Sequence, residues 1–135
     1  LKSAGAWMDA LAPTTGWVYK GFLSVGRHWV GGIHFVKEHP LFNGLPTNTA
    51  MGWPYQALVH EGDKRLGFYL EGDEMIVGSY RTTPFCLGST LGIIPYGKGR
   101  IIYSTLDVVD NLLSQEPAAE VARKLFCNML SISNW

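Results

Sequence analysis

Residues 88–106 read GSTLGIIPYGKGRIIYSTL, and this stretch decides the fold that the sequence predicts. Two largely apolar runs, residues 88–94 and 100–106, flank the tetrapeptide Tyr96-Gly97-Lys98-Gly99. Glycine readily adopts the left-handed backbone that a tight reversal needs, so the two runs are expected to pair as a β-hairpin. The other elements are predicted outward from this hairpin.

Three earlier runs of β-branched and aromatic residues predict further strands near 55–60, 65–70 and 74–80. The clusters Glu61-Gly62-Asp63 and Glu71-Gly72-Asp73 separate these runs and are typical of turns. Ahead of them, residues 34–54 carry three prolines and two glycines, which predicts a long ordered connection. Four apolar residues of this connection are expected to enter the core: Phe35, Leu41, Phe42 and Leu45.

The two ends of the chain favour helices. After Glu116-Pro117, which can open a helix at its first turn, apolar residues fall on one helical face. They are Ala118, Val121, Ala122, Leu125, Met129 and Ile132. Residues 1–11 are compatible with a short amphipathic helix, and residues 16–33 with irregular or short extended segments. The chain is therefore expected to mix helix and sheet, as an α/β or α+β fold.

The composition predicts one domain, residues 1–135, with a single main core. Charged residues make up 16% of the chain, and eleven basic residues balance eleven acidic ones. A chain without net charge has no field that would attract nucleic acid, so that partner is not expected. No run reaches the about 18 apolar residues of a membrane span, so a soluble protein is expected. Because the chain begins with Leu1, we expect it to be the C-terminal part of a longer protein.

The spacing of the cysteines and histidines indicates neither a disulfide nor a metal site. Cys86 and Cys127 are 41 positions apart, and two half-buried thiols are favoured over a disulfide. Three histidines, His28, His34 and His39, surround Glu38, but their gaps of six and five match no helical or strand pair of metal ligands. Loop or surface histidines are therefore favoured, and no metal and no cofactor are predicted.

The candidate nucleophiles and carboxylates lie near the predicted strands. Neither Cys86 nor Ser104 lies on the sharp strand-to-helix turn that activates a nucleophile. Asp107 and Asp110 follow the last strand, where carboxylates can line a site at the sheet edge, although a turn or capping role is favoured. A small hydrolase using one of these carboxylates with a nearby histidine stays open as an alternative. No catalytic residue is assigned.

Aromatic residues form the other candidate surface. Trp53 and Tyr55, with Trp29, lie among glycines or prolines and could offer flat platforms to sugar rings. A core or interdomain contact is favoured over such a platform, because aromatic rings also fill small cores. The ligand-binding candidates are thus Trp53, Tyr55, Asp107 and Asp110.

Two stretches, GGIHFVKEHPLFNGLPTNTAMGWPYQ at 31–56 and GIIPYGKGRIIYSTLDVVDNLLSQEPAAEVARKLFCNML at 92–130, resemble the C-terminal regions of bacterial family 2 glycoside hydrolases of the β-galactosidase-like group. The most specific pieces are His39-Pro40-Leu41-Phe42, Gly44-Leu45-Pro46, and Gly97-Lys98-Gly99-Arg100 with Ser104-Thr105-Leu106-Asp107. In those proteins a glutamine-amidotransferase-like domain is appended to the catalytic modules.

The resemblance implies a partial class I amidotransferase-like, flavodoxin-like sheet with a C-terminal amphipathic helix. It implies a non-catalytic accessory domain with a structural, assembly or substrate-access role in carbohydrate degradation, because the elbow cysteine of active amidotransferases has no counterpart here. The parent is then expected to be a periplasmic or secreted glycoside hydrolase. Its other domains, carbohydrate, or a second copy of the chain are the partners to expect, and a carbohydrate-binding module remains an alternative.

Overall fold

The computed structural model describes residues 8, 10, 11, 16–24, 34–59, 65–82 and 85–132. These residues form an antiparallel sheet, a C-terminal helix and several short 3₁₀ helices. The strands are β1 (Val18–Ser24), β2 (His34–Val36), β3 (Thr49–Ala50), β4 (Arg65–Glu71), β5 (Glu74–Thr82), β6 (Phe85–Tyr96) and β7 (Gly99–Ser104); helix α1 spans Glu120–Ser131. The 3₁₀ helices are Pro40–Phe42, Trp53–Leu58, Val109–Asn111 and Pro117–Ala119.

Strand β6 is the centre of the sheet. It pairs with β5 from Thr82↔Phe85 to Glu74↔Ile93, and with β7 from Leu91↔Ser104 to Tyr96↔Gly99. Strand β4 also joins β6, at Phe68↔Ser89, and β1 lies outside β4. On the other side, β2 and then β3 extend the sheet beyond β5. The predicted hairpin is therefore confirmed, and Gly97 at its turn has φ +58°.

The flavodoxin-like α/β fold is wrong for this chain. All strand pairs of the described sheet are antiparallel, and the architecture is mostly β with one C-terminal helix. A parallel pair needs a crossover of about a dozen residues or more, usually a helix. Only two residues separate β4 from β5, β5 from β6, and β6 from β7, so this part of the chain has no room for such crossovers.

Four of the five predicted strands are present in the structure. The predicted strands 65–70, 74–80, 88–94 and 100–106 correspond to β4 to β7. The strand predicted at 55–60 is wrong, because the chain there forms the 3₁₀ helix Trp53–Leu58. Pro54 lies in the first turn of that helix, where its fixed φ and missing N–H are tolerated.

The structure describes only part of the N-terminal region, so the predictions there are tested only in part. Met8, Ala10 and Leu11 are helical, as expected, and the rest of 1–11 lies outside the described residues. Strand β1 agrees with the short extended segments expected within 16–33, and residues 25–33 are not described. β1 has shifted register against β4 between Tyr19 and Phe22, next to Gly21 with φ +109°. Such a shift is the signature of a β-bulge.

Helix α1 covers one face of the sheet. Val121, Ala122 and Leu125 are its buried residues, and they pack with the 3₁₀ helices over strands β5 and β6. Leu41 and Phe42 enter the same core, as predicted, and Leu45 packs against it. Asn128 of α1 ties this layer together by donating its amide to the carbonyls of Leu41 and Asn43, at 2.8 and 3.0 Å.

The opposite face of the sheet holds a second, smaller core. Its buried members are Met8, Trp17, Phe68, Ile94 and Tyr103. Aromatic rings dominate it: the ring centroids of Phe68 lie 5.1 Å from Phe22 and 5.6 Å from Tyr103. The sheet is therefore covered on both faces.

The two cysteines form no disulfide. Cys86 is half-buried on β6, where the Tyr69 hydroxyl donates to its Sγ at 2.9 Å, whereas Cys127 is exposed on α1. Of the helices in the described part of the chain, none combines the length and the apolar character needed to cross a membrane.

Candidate functional site

A buried hydrogen-bond network connects three distant parts of the sequence on the face opposite α1. Asp73 lies between β4 and β5, Ser89 on β6 and Tyr103 on β7. One carboxylate oxygen of Asp73, Oδ2, accepts hydrogen bonds from Ser89 Oγ at 2.8 Å and from the Tyr103 hydroxyl at 2.5 Å. The Ser89 and Tyr103 hydroxyls also contact each other. The three groups form a closed triangle.

Gly92 makes room for this triangle. It pairs with Tyr103 across the β6–β7 ladder, and a Cβ atom there would collide with the Tyr103 hydroxyl and approach the Glu74 carbonyl to 2.8 Å. Gly67 is restricted in the same way, because a Cβ would lie 2.7 Å from the Ser89 carbonyl oxygen. Backbone cannot yield as a flexible side chain can, so both positions require glycine.

Both hydroxyls of the network are buried. Ser89 and Tyr103 are each 4% exposed, so a substrate cannot reach either hydroxyl. Burial raises the pKa of Tyr103 far above its ordinary value, and the hydrogen bond to Asp73 acts in the same direction. A phenol that holds its proton this firmly donates a hydrogen bond and cannot act as a base near neutral pH.

His39 occupies a second polar position, on the α1 side. Its Nδ1 accepts from the backbone N–H of Leu41 at 3.2 Å and so caps the Pro40–Phe42 helix. Its Nε2 lies 3.5 Å from Glu74 Oε1. Burial lowers the pKa of His39, Glu74 partly offsets this, and Lys37 lowers it further. The ring is therefore neutral at pH 7, with its proton on Nε2.

The other residues of the predicted histidine cluster do not join His39 in a common site. His34 is buried in β2, and Glu38 is exposed and accepts from Asn48 Nδ2 at 3.4 Å. His28 lies outside the described residues. Within residues that the structure describes, no group of three or more His, Cys, Asp or Glu side chains could hold a metal ion.

The two aromatic candidates, Trp53 and Tyr55, differ in their exposure to solvent. Trp53 is 80% exposed, whereas Tyr55, two residues later in the same 3₁₀ helix, is fully buried. The Tyr55 hydroxyl donates to the Pro46 carbonyl, and its ring packs edge-to-face on Phe42 with centroids 6.0 Å apart. Burial raises the pKa of Tyr55 to about 12. Trp53 can meet a ligand and Tyr55 cannot; Trp29 lies outside the described residues.

The two carboxylate candidates follow β7. Asp107 is half-buried, and its backbone N–H donates to the Leu58 carbonyl at 3.0 Å. Asn111 reinforces this junction by donating its amide to the carbonyls of Ala57 and Asp107, both at 2.7 Å. Asp110 is exposed on the Val109–Asn111 helix. The structure thus joins the segment of Asp107 and Asp110 to the helix that begins at Trp53.

Exposed apolar side chains accumulate on these joined segments. Trp53 is 80%, Val109 71% and Leu113 90% exposed. We call these three residues the apolar patch. Large apolar side chains that are left this exposed are candidates for a contact site. The sequence singles out Trp53 but gives no signal for Val109 or Leu113, because the exposure of an apolar residue outside a predicted element depends on tertiary packing.

Comparisons with protein-family models, with curated proteins and with solved structures found no match for this chain.

Proposed function

We propose that this chain is a non-catalytic accessory domain of a larger glycoside hydrolase, and that it packs on another domain of that protein through the apolar patch. The observation that carries the proposal is the exposure of Trp53, Val109 and Leu113 on two hydrogen-bonded segments. Covering such side chains releases about 25 cal/mol for each Å² of apolar surface, which favours a protein contact over solvent.

The polar groups support a structural role. Three side chains do converge, Asp73, Ser89 and Tyr103, and they hydrogen-bond to one another, with both hydroxyls buried. The backbone N–H of Asp107 takes part in the junction with Leu58. The carbohydrate context rests on the resemblance of residues 31–56 and 92–130 to the β-galactosidase-like proteins.

The test compares the chain alone with its parent. Leu113→Glu places a charge in the apolar patch and is expected to leave the thermal unfolding of residues 1–135 unchanged, because the side chain is solvated there. In the parent protein the same change is expected to speed proteolytic release of this domain. Leu130→Glu, another exposed leucine, is the matched control. Equal release from the Leu113→Glu parent and the unaltered parent would contradict the proposal.

Catalysis by the chain itself is tested separately. Purified residues 1–135 are expected to leave nitrophenyl galactoside intact. Turnover that disappears in an Asp107→Asn variant would instead establish the hydrolase alternative.

A second function is favoured by one observation. The ring of Trp53 is open to solvent at the start of a short 3₁₀ helix, which suits stacking against a sugar ring. Calorimetric titration with galacto-oligosaccharides, using Trp53→Ala and Leu113→Glu, separates the two functions. Saturable binding that is lost only in Trp53→Ala indicates a carbohydrate site. If the unaltered chain gives no binding heat, the carbohydrate function is excluded and the docking role stands.

A further inference from the structure

His39 links the sheet to the layer that α1 covers. Its Nε2 lies 3.5 Å from Glu74 Oε1 on β5, and its Nδ1 accepts the backbone N–H of Leu41, a residue of the α1-face core, at 3.2 Å. The side chain of His39 is 8% exposed. A change in the protonation of this ring therefore acts on the contact between the sheet and the α1 layer.

Residues 40–45, which we call the capped segment, follow His39 and fold largely on themselves. Three of the segment's backbone N–H groups donate to carbonyls about one turn earlier in the chain, at 2.8, 3.0 and 2.9 Å. Leu41 and Phe42 are buried in the core, and Asn128 of α1 donates to two carbonyls of the segment. None of these contacts belongs to a strand ladder, so the capped segment can separate from α1 while the strands stay paired.

Protonation changes what the His39 ring can do. A neutral imidazole has one acceptor nitrogen, whereas an imidazolium has N–H donors at both positions. After protonation, Nδ1 presents a proton to the Leu41 N–H and the cap is lost. A charged ring is also poorly solvated at this buried position. Both effects favour an arrangement in which the ring leaves its site.

Two charged groups act on the ring in opposite directions. Glu74 on β5 favours the protonated form, whereas Lys37, directly after β2, disfavours it. Burial is the largest influence and lowers the pKa of His39. The closed arrangement therefore holds the second proton more weakly than an open, solvated one does, so taking up that proton favours opening.

Two further charged side chains lie near the capped segment. Lys124 of α1 lies beside it, and Glu38 accepts from Asn48 Nδ2 at 3.4 Å. Both are exposed, and neither contributes to the shifted pKa of His39. Glu38 is therefore a matched control for Glu74, an exposed acid of the same charge.

The geometry points to His39 as an acid-sensitive latch: its neutral ring holds the capped segment against α1, and its protonation releases the segment and uncovers Leu41 and Phe42. The inference is independent of the accessory role and of the apolar patch. A histidine with a purely structural role would instead let the capped segment and the sheet open together in acid.

Amide hydrogen exchange of residues 1–135 tests the latch. Each rate is divided by the intrinsic rate of an unprotected amide at the same pH, which gives an opening constant. For the amides of Phe42, Asn43 and Leu45 we expect this constant to rise as the pH falls below about 6.5, by up to about tenfold per pH unit, because opening takes up one proton. At pH 5 these amides should open more often than those of β6, and urea should change their opening less.

The ratio of the opening constants at pH 5 and pH 7 should respond to four variants. His39→Asn keeps an acceptor for the Leu41 N–H but takes up no proton, so the ratio should fall to about one. Glu74→Gln removes the group that favours the protonated ring in the closed form and should enlarge the ratio. Lys37→Gln removes the group that disfavours it and should reduce the ratio. Glu38→Gln should leave the ratio of the unaltered chain.

Several results would overturn the inference. An unchanged ratio in His39→Asn would show that another group takes up the proton, and so would changes of the same sign in Glu74→Gln and Lys37→Gln. Segment amides that share the opening constants and the urea dependence of β6 would establish the purely structural role. Thermal unfolding at pH 7 checks the fold of each variant. Glu74→Gln and Lys37→Gln change exposed residues and decide the matter if His39→Asn fails to fold.

Discussion

The face of the sheet under α1 buries a core made mainly of aliphatic side chains, whereas the opposite face buries a carboxylate network among aromatic rings. The first core depends on volume, so similar apolar side chains can replace one another at modest cost. The second depends on three partners at once, because a buried polar group that loses its partner pays the full desolvation penalty. The two faces should therefore respond differently to mutation.

The largest effect is expected on the α1 face. Leu125 is fully buried, and Leu125→Ala should lower the free energy of unfolding by about 2–5 kcal/mol through lost burial and a residual cavity. Urea denaturation measures the change, with the exposed Lys124→Ala as control. A loss below about 1 kcal/mol would mean that α1 contributes little to the main core.

The network on the opposite face should show coupling. Asp73→Ala leaves the Ser89 and Tyr103 hydroxyls buried without their acceptor and should cost about 1–3 kcal/mol. Tyr103→Phe removes one of those hydroxyls. The double variant should therefore cost less than the sum of the two single changes. Additive costs in urea denaturation would show that the three groups act independently.

A smaller effect is expected in the pH dependence of stability, through His39 on the α1 side of the sheet. The pKa of His39 is lowered in the folded protein, so the unfolded chain binds more protons in the acid range. Stability should hold above the ordinary histidine pKa of about 6.5 and fall as the pH drops from there toward the folded-state value. His39→Asn keeps an acceptor for Leu41 N–H and should flatten this part of the profile. A slope between pH 7 and 5 that is identical in the variant would exclude His39 as its source.

The smallest effect is expected at the apolar patch. Trp53→Ala should change the free energy of unfolding by no more than about 0.5 kcal/mol, because the side chain is already solvated. Tyr55→Ala, two residues away and fully buried, should cost several times more. Thermal unfolding of both variants tests this. Comparable losses would place Trp53 in the core of the α1 face.

Local sequence patterns predicted the second half of the chain well. Turn glycines and short apolar runs marked β4 to β7, and the spacing from Val121 to Met129 marked α1, because these elements depend on nearby residues. The flavodoxin-like topology came from the resemblance. The structure excludes parallel pairing there, because its connections before β5, β6 and β7 are only two residues long.

Long-range contacts explain what the sequence could not predict. Asp73, Ser89 and Tyr103 meet only after β6 has found its partners, and nothing in their spacing indicates this. Trp53 and Tyr55 share the same local setting, yet the 3₁₀ geometry turns one outward and the other into the core. At both sites, tertiary structure decided which side chains converge.

The order of the strands also sets an order of assembly. The hairpin β6–β7 closes between neighbours such as Tyr96 and Gly99, whereas β1 must reach β4 from about 50 positions away, as in the ion pair of Lys20 with Glu71. Closing the longer loop costs more chain entropy and brings fewer early contacts. We expect β1 to dock last and, being an edge strand of the described sheet, to open first, so its backbone amides should exchange with deuterium before those of β5 and β6.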